Sequence, residues 1–296
     1  MERNGSLVPR IAIPAALRQK RAVTSGLPHI FLVAVLLSAS TVFAEKPPAK
    51  SAKVAVAEHM KEELGVNEFT TPGIELILQS LRDLHPVVYE DVARAVPRQP
   101  PSNRAQLALS TGGVIADGFL AVVAEKQSRL EAIGRSLLSH AKGLGVADYV
   151  TRHAKSILER AAKKEWDAVR SELIGTQRDV EKGMMALKDE EIAHLVALGG
   201  WWRGLEVASA IIAESYTPAR ARLLVQPAMI SYFADRVQTL HPNLKKRALF
   251  VSIEKSLAEV RALAVNEQQT PPTQEAVKKI HAIAKAMNTE ISSGEE

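Results

Sequence analysis

The chain has 296 residues, 46% of them hydrophobic, 24% charged and 4% aromatic, with no cysteine. That supplies a sizeable core and excludes disulfides, thiolate metal sites, cysteine nucleophiles and a lipid anchor on cysteine. The formal charge of +5 is concentrated at the front, where Arg3, Arg10, Arg18, Lys20 and Arg21 face Glu2 alone. Without these, the 38 basic and 33 acidic residues become 33 and 32, a balance that offers no broad footprint for nucleic acid.

The first element is a leader. A basic stretch, Arg18-Gln19-Lys20-Arg21, precedes an apolar run from Ile30 to Leu37 and small residues at Ser38, Ala39 and Ser40. Val42 and Ala44 stand at the −3 and −1 positions of a cleavage site, so the order is that of a secretory signal spanning 1–44, with a mature start at Glu45. The run is shorter than the ~20 apolar residues of a membrane span. In the stretch from Ile192 to Ile212, His194, Arg203 and Glu206 disfavour a bilayer core. The expectation is an exported protein, periplasmic or secreted, with no transmembrane span after cleavage.

A Pro- and Lys-rich linker follows at 45–53, then a small helical unit over 54–97. Its helices are expected at 53–64, at 71–84 behind Thr71-Pro72, and at 86–96. The loop at 97–101 separates this unit from a main bundle over 101–265. Residues 102–217 contain no proline and are rich in Ala, Leu, Glu, Lys and Arg, which favour helix. Stripes such as Leu130, Ile133, Leu137 and Leu138 recur at helical spacing. Sustained period-two alternation is absent.

The spacing predicts helices over 102–126, 128–142, 146–163, 165–187, 189–215, 218–240 and 243–264. Gly143 and Gly145 end the second of these, and Thr217-Pro218 and His241-Pro242 are restart signals. A linker at 266–272 leads to a tethered last helix and polar tail at 273–296. The fold class is therefore all-α, a multi-helix bundle of about nine to ten helices.

Small residues give the sharpest internal signal. Ala108, Gly112 and Ala116 share one helical face, and Gly200, Gly204 and Ala208 share another. A helix-interior glycine costs ~1 kcal/mol relative to alanine, so these positions point to two helices packed with unusually close backbones. Trp201-Trp202-Arg203 interrupts the second stripe. Adjacent side chains diverge by about 100°, which places one indole in the core and the other at a boundary. Trp201, Trp202, Arg203, Glu206 and Asp117 are accordingly the candidate partner or ligand surface.

Motifs for chemistry are sparse. Thr111-Gly112-Gly113 with Gly118 lacks the strand and the Gly-Lys-Ser/Thr of a phosphate loop. Glu191 and His194 have the Glu-x-x-His spacing of a di-metal bundle without a second copy, and Asp189, Glu190 and Glu191 suit a helix N-terminus. No catalytic, metal or cofactor site is assigned. The leading expectation is a non-enzymatic protein that binds a protein partner or scaffolds an envelope assembly, its oligomeric state open. The alternative is a carrier of a small hydrophobic molecule, or an enzyme, with a pocket between the glycine-bearing helices at 108–124 and 192–212. A filled core with an exposed groove favours the first, and an enclosed pocket the second.

Overall fold

The structure, a computed structural model, describes Leu84 and residues 89–97, 99–266, 268 and 270–293. All of them lie in one unit, Pro47–Glu296. The leader with its Ala44–Glu45 junction, the 45–53 linker, the first two expected helices (Leu84 apart) and the end of the tail fall outside the described residues. Those residues form helices and turns, with no strand among them.

In chain order the helices are α1 (Tyr89–Val92), α2 (Arg104–Val123), α3 (Gln127–Leu144), α4 (Ala147–Ala162), α5 (Trp166–Ala186) and α6 (Glu190–Glu214). Then come α7 (Pro218–Ala221), a single 3-10 turn at Arg222–Leu224, α8 (Pro227–Thr239), α9 (Pro242–Lys245), α10 (Ala248–Ala264) and α11 (Gln274–Ser292). Side-chain caps fix several starts. Asn103 accepts the Gln106 N–H at 3.0 Å, Thr217 that of Arg220 at 3.1 Å and Thr273 that of Ala276 at 3.2 Å, each worth roughly 1 kcal/mol. Gly145 closes α3 in the left-handed conformation, φ 80°, whereas Gly143 lies inside the helix.

Three expected elements differ. The helix expected over 86–96 is helical, among its described residues, only at Tyr89–Val92. From its last residue onward, carbonyls accept side chains of the bundle: Val92 O from Arg203, Arg94 O from Arg129 and Pro97 O from Ser136. The helix expected over 218–240 breaks before Pro227, whose ring removes an N–H and starts a new helix. The one expected over 243–264 breaks at Lys246-Arg247.

α2 and α6 form the central pair, packed against each other more extensively than any other two helices. Both are long and apolar enough to cross a membrane, yet here both are buried along most of their length. α3 lies on α2, the α4–α5 hairpin closes one side, and α8 packs against α10. α11 is more than a tethered addition. It packs on α6 and α10, burying Val277, Ile280, Ala284, Met287 and Ile291, larger members of that stripe contributing ~1.5–3 kcal/mol each on burial.

Candidate functional site

The close approach of α2 and α6 is centred on Gly112 and Gly199. A Cβ on Gly112 would stand 1.9 Å from Val196 O, and one on Gly199 would stand 1.9 Å from Leu109 O. Gly200 is looser, its Cβ position 3.4 Å from Gly112 O. Ala108, Ala116 and Ala208 are buried nearby and Gly204 is half-buried. Gly199 escapes sequence reasoning, because a four-residue stripe selects Gly200 and passes over its neighbour. Backbone fills the space between these helices at the crossing, so no pocket opens there.

The candidate surface around the tryptophans is interior. Trp201 and Trp202 are 4% and 0% exposed, a correction to the boundary position expected for one of them. Trp201 stacks toward Phe233 at 5.5 Å between centroids and donates to Gln226 Oε1 at 3.1 Å. Trp202 sits edge-on to Trp201 at 4.9 Å. α8 and α11 cover what a single helix would show to solvent, and Asn288 on α11 donates to Trp202 O at 3.0 Å.

Arg203 and Asp117 are likewise buried and form the centre of a charge cluster. Arg203 Nε donates to Asp117 Oδ1 at 2.7 Å, and its Nη1 pairs with Glu206 Oε2 at 2.9 Å. Arg94 Nε donates to Asp117 Oδ2 at 2.8 Å. Burial works against the charge on Arg203, but the fields and hydrogen bonds of Asp117 and Glu206 outweigh it, so its pKa lies above the ordinary arginine value. Two guanidiniums thus meet two carboxylates, and the cluster ties the segment after α1 to α2 and α6. The five residues Asp117, Trp201, Trp202, Arg203 and Glu206 do not constitute a surface.

The chemically open feature is on the other side of α2. A cavity of about 400 Å³ is walled by α2, α3, α4 and α5. Val114, Ile115, Leu130, Ile133, Leu137, Leu138, Val150, Ile157, Leu173 and Val180 line it. Small residues keep it open: Gly118, Gly134, Ala141 and Ala154 also line it, and a Cβ on Gly134 would meet nothing within 4 Å. Its two hydroxyls are spent on their own helices, Thr111 donating to Leu107 O at 2.6 Å and Thr176 to Glu172 O at 2.8 Å. Glu131 and Arg135, an exposed ion pair one turn apart on α3, are its charged lining residues.

Two polar constellations flank this region. His140 is fully buried, its Nδ1 2.8 Å from Ser136 O and its Nε2 3.0 Å from Ser110 Oγ. The geometry fits a neutral ring that donates from Nδ1 and accepts the serine proton at Nε2. A carboxylate at Nδ1 would orient a catalytic histidine; a backbone carbonyl holds that place, and neither side chain lines the cavity. Burial lowers the pKa of His140. Its folded form therefore resists a proton that the unfolded chain takes up near pH ~6.5, and stability falls as pH drops through that value toward the lower folded one. Urea midpoints at pH 7 and pH 5 are expected to differ less in His140→Gln than in the wild type.

The second constellation joins α4 to α5. His153 Nδ1 lies 3.0 Å from Glu172 Oε1 and its Nε2 3.1 Å from Asp179 Oδ2. The His153 hydrogen bond, then that of Lys182, holds the Asp179 carboxyl below its ordinary pKa. Glu191 and His194, the Glu-x-x-His pair, serve separate neighbours: Glu191 accepts the His241 N–H at 3.2 Å, and His194 Nδ1 lies 2.7 Å from the Tyr232 hydroxyl.

The cavity wall was visible in sequence only as helical stripes, including Leu130, Ile133, Leu137 and Leu138. A stripe does not reveal whether its partner helix fills the space in front of it. Comparison with protein-family models, with curated proteins and with solved structures finds no match to this chain.

Proposed function

We propose that this protein binds an apolar small molecule in the cavity between α2, α3, α4 and α5, without acting on it chemically. The observation that carries the reading is an apolar cavity of about 400 Å³ beside a helix pair packed to backbone contact. Protein interiors close nearly all voids larger than a water molecule, and cavities of roughly 300–1,000 Å³ with mainly apolar walls are the usual form of small-molecule sites. The pocket lies across α2 from the place where the sequence pattern put it.

A protein-docking role draws less support. Among the described residues the exposed large apolar side chains are Leu158 on α4, Leu187 in the turn after α5 and Val251 on α10. Single exposed apolar residues of this kind are ordinary. The leader pattern ending at Ala44 supports placing the binding outside the cytoplasm. Mass spectrometry of the protein from a periplasmic fraction should then show a chain beginning at Glu45, and full-length chain confined to the cytosol would count against export.

Gly134 provides the test of the pocket. Fluorescence of N-phenyl-1-naphthylamine should rise on binding to the wild-type protein and stay at its free value with Gly134→Leu, whose side chain enters the open space. Gly134→Ala should keep binding and be about 1 kcal/mol more stable, since it relieves a helix-interior glycine without a clash. Equal probe binding by wild type and Gly134→Leu would remove the cavity from the function.

A further inference from the structure

We propose that the ligand is a single-chain amphiphile with an anionic head, its chain in the cavity and its head on Arg135 at the rim, with Arg129 beyond. This rests on the cavity reading above and names the chemical class that the site would take.

The cavity offers no free hydroxyl proton to an anionic head. Both of its hydroxyls donate to carbonyls of their own helices, so an anionic group drawn inside would lose its water with no donor to replace it. A polar head therefore belongs at the rim. There α3 separates two environments. Leu130, Ile133 and Gly134 face the cavity, while Arg129, Ala132 and Ser136 line a second, shallower depression of about 540 Å³. Arg135 borders both and marks where a chain leaving one would bring its head to the other.

The charge of that depression has one sign. Its charged lining residues are Arg129 and Arg135. Arg129 donates to two neutral oxygens, Tyr89 OH at 3.1 Å and Arg94 O at 2.9 Å, and neither cancels its charge. Arg135 pairs with Glu131 one turn away, both side chains about two-thirds exposed. Such exposed pairs contribute little in water, so a ligand carboxylate or phosphate can take over the guanidinium. The planar fork of arginine suits either group.

The test is competition against N-phenyl-1-naphthylamine on the full chain, with laurate, dodecyl phosphate, dodecanol and dodecyltrimethylammonium below their micellar concentrations. Laurate and dodecyl phosphate should displace the probe at concentrations about tenfold below dodecanol, a gap of ~1.4 kcal/mol, and the cationic amphiphile should be weakest. Arg135→Gln should bring the two anions to the level of dodecanol and leave dodecanol unchanged, which also shows that the variant folds. Glu131→Gln, by freeing Arg135, should tighten laurate. Equal displacement by laurate and dodecanol, or an anion preference that survives Arg135→Gln, overturns the head-group assignment and leaves the apolar site standing. Failure of every amphiphile to displace a probe that Gly134→Leu does not bind overturns the amphiphile proposal and leaves the cavity reading standing, whereas equal probe binding by wild type and Gly134→Leu overturns both.

Discussion

Gly112→Ala and Gly199→Ala are each expected to destabilise the protein by about 3 kcal/mol or more, lowering Tm by roughly 6–12 °C. The added carbon would lie 1.9 Å from a carbonyl oxygen of the facing helix, Val196 O for Gly112 and Leu109 O for Gly199. A side chain in the way could rotate aside, but these obstacles are backbone atoms fixed by helical hydrogen bonds. The helices must separate, and with them the packing around Leu109, Leu198 and Trp202, all buried. Gly200→Ala is the control. Its Cβ would meet Gly112 O at 3.4 Å, ordinary contact, so gained helix propensity offsets any loss and Tm should hold or rise. Thermal melts of the three variants check the order. A wild-type melt for Gly199→Ala would mean that the two backbones are further apart than described.

Asp117→Leu should cost about 3–5 kcal/mol, the range for removing one partner of a buried pair. Asp117 serves two cations at once, Arg94 at 2.8 Å and Arg203 at 2.7 Å. Without it Arg203, 2% exposed, keeps Glu206 and the Val92 carbonyl, and Arg94 loses the carboxylate that holds the segment after α1 against the bundle. Asp117→Asn preserves the shape and one acceptor oxygen and should fall between wild type and leucine. Arg135→Ala, which breaks the exposed pair with Glu131, should stay within about 0.5 kcal/mol. Urea unfolding at two salt concentrations separates the cases further, because salt screens the α3 surface pair and leaves the buried one nearly untouched. Equal costs for Asp117→Leu and Arg135→Ala would show that the cluster contributes no more than surface charge does.

The sequence by itself determined what short-range physics controls. A proline-free run of good helix formers across 102–217 settles helix over strand, and Thr217-Pro218 and His241-Pro242 start helices because a cap and a fixed φ act within a few residues. It also determined that glycines would bring two helices close, since a helix-interior glycine is costly without a spatial reason. Tertiary structure alone decided which facing atoms each glycine meets, Val196 O and Gly200 N for Gly112 and Leu109 O for Gly199, because a one-residue rotation of a helix is invisible to a four-residue stripe. It decided that Trp202 and Arg203 are interior, since α11, which follows them by some 70 residues, covers that face. It paired Asp117 with Arg203 across 86 residues and Ser110 with His140 across 30, contacts that no local propensity encodes. The cavity belongs to the same class: it is what four helices fail to fill, and a space bounded by distant side chains has no residue of its own to announce it.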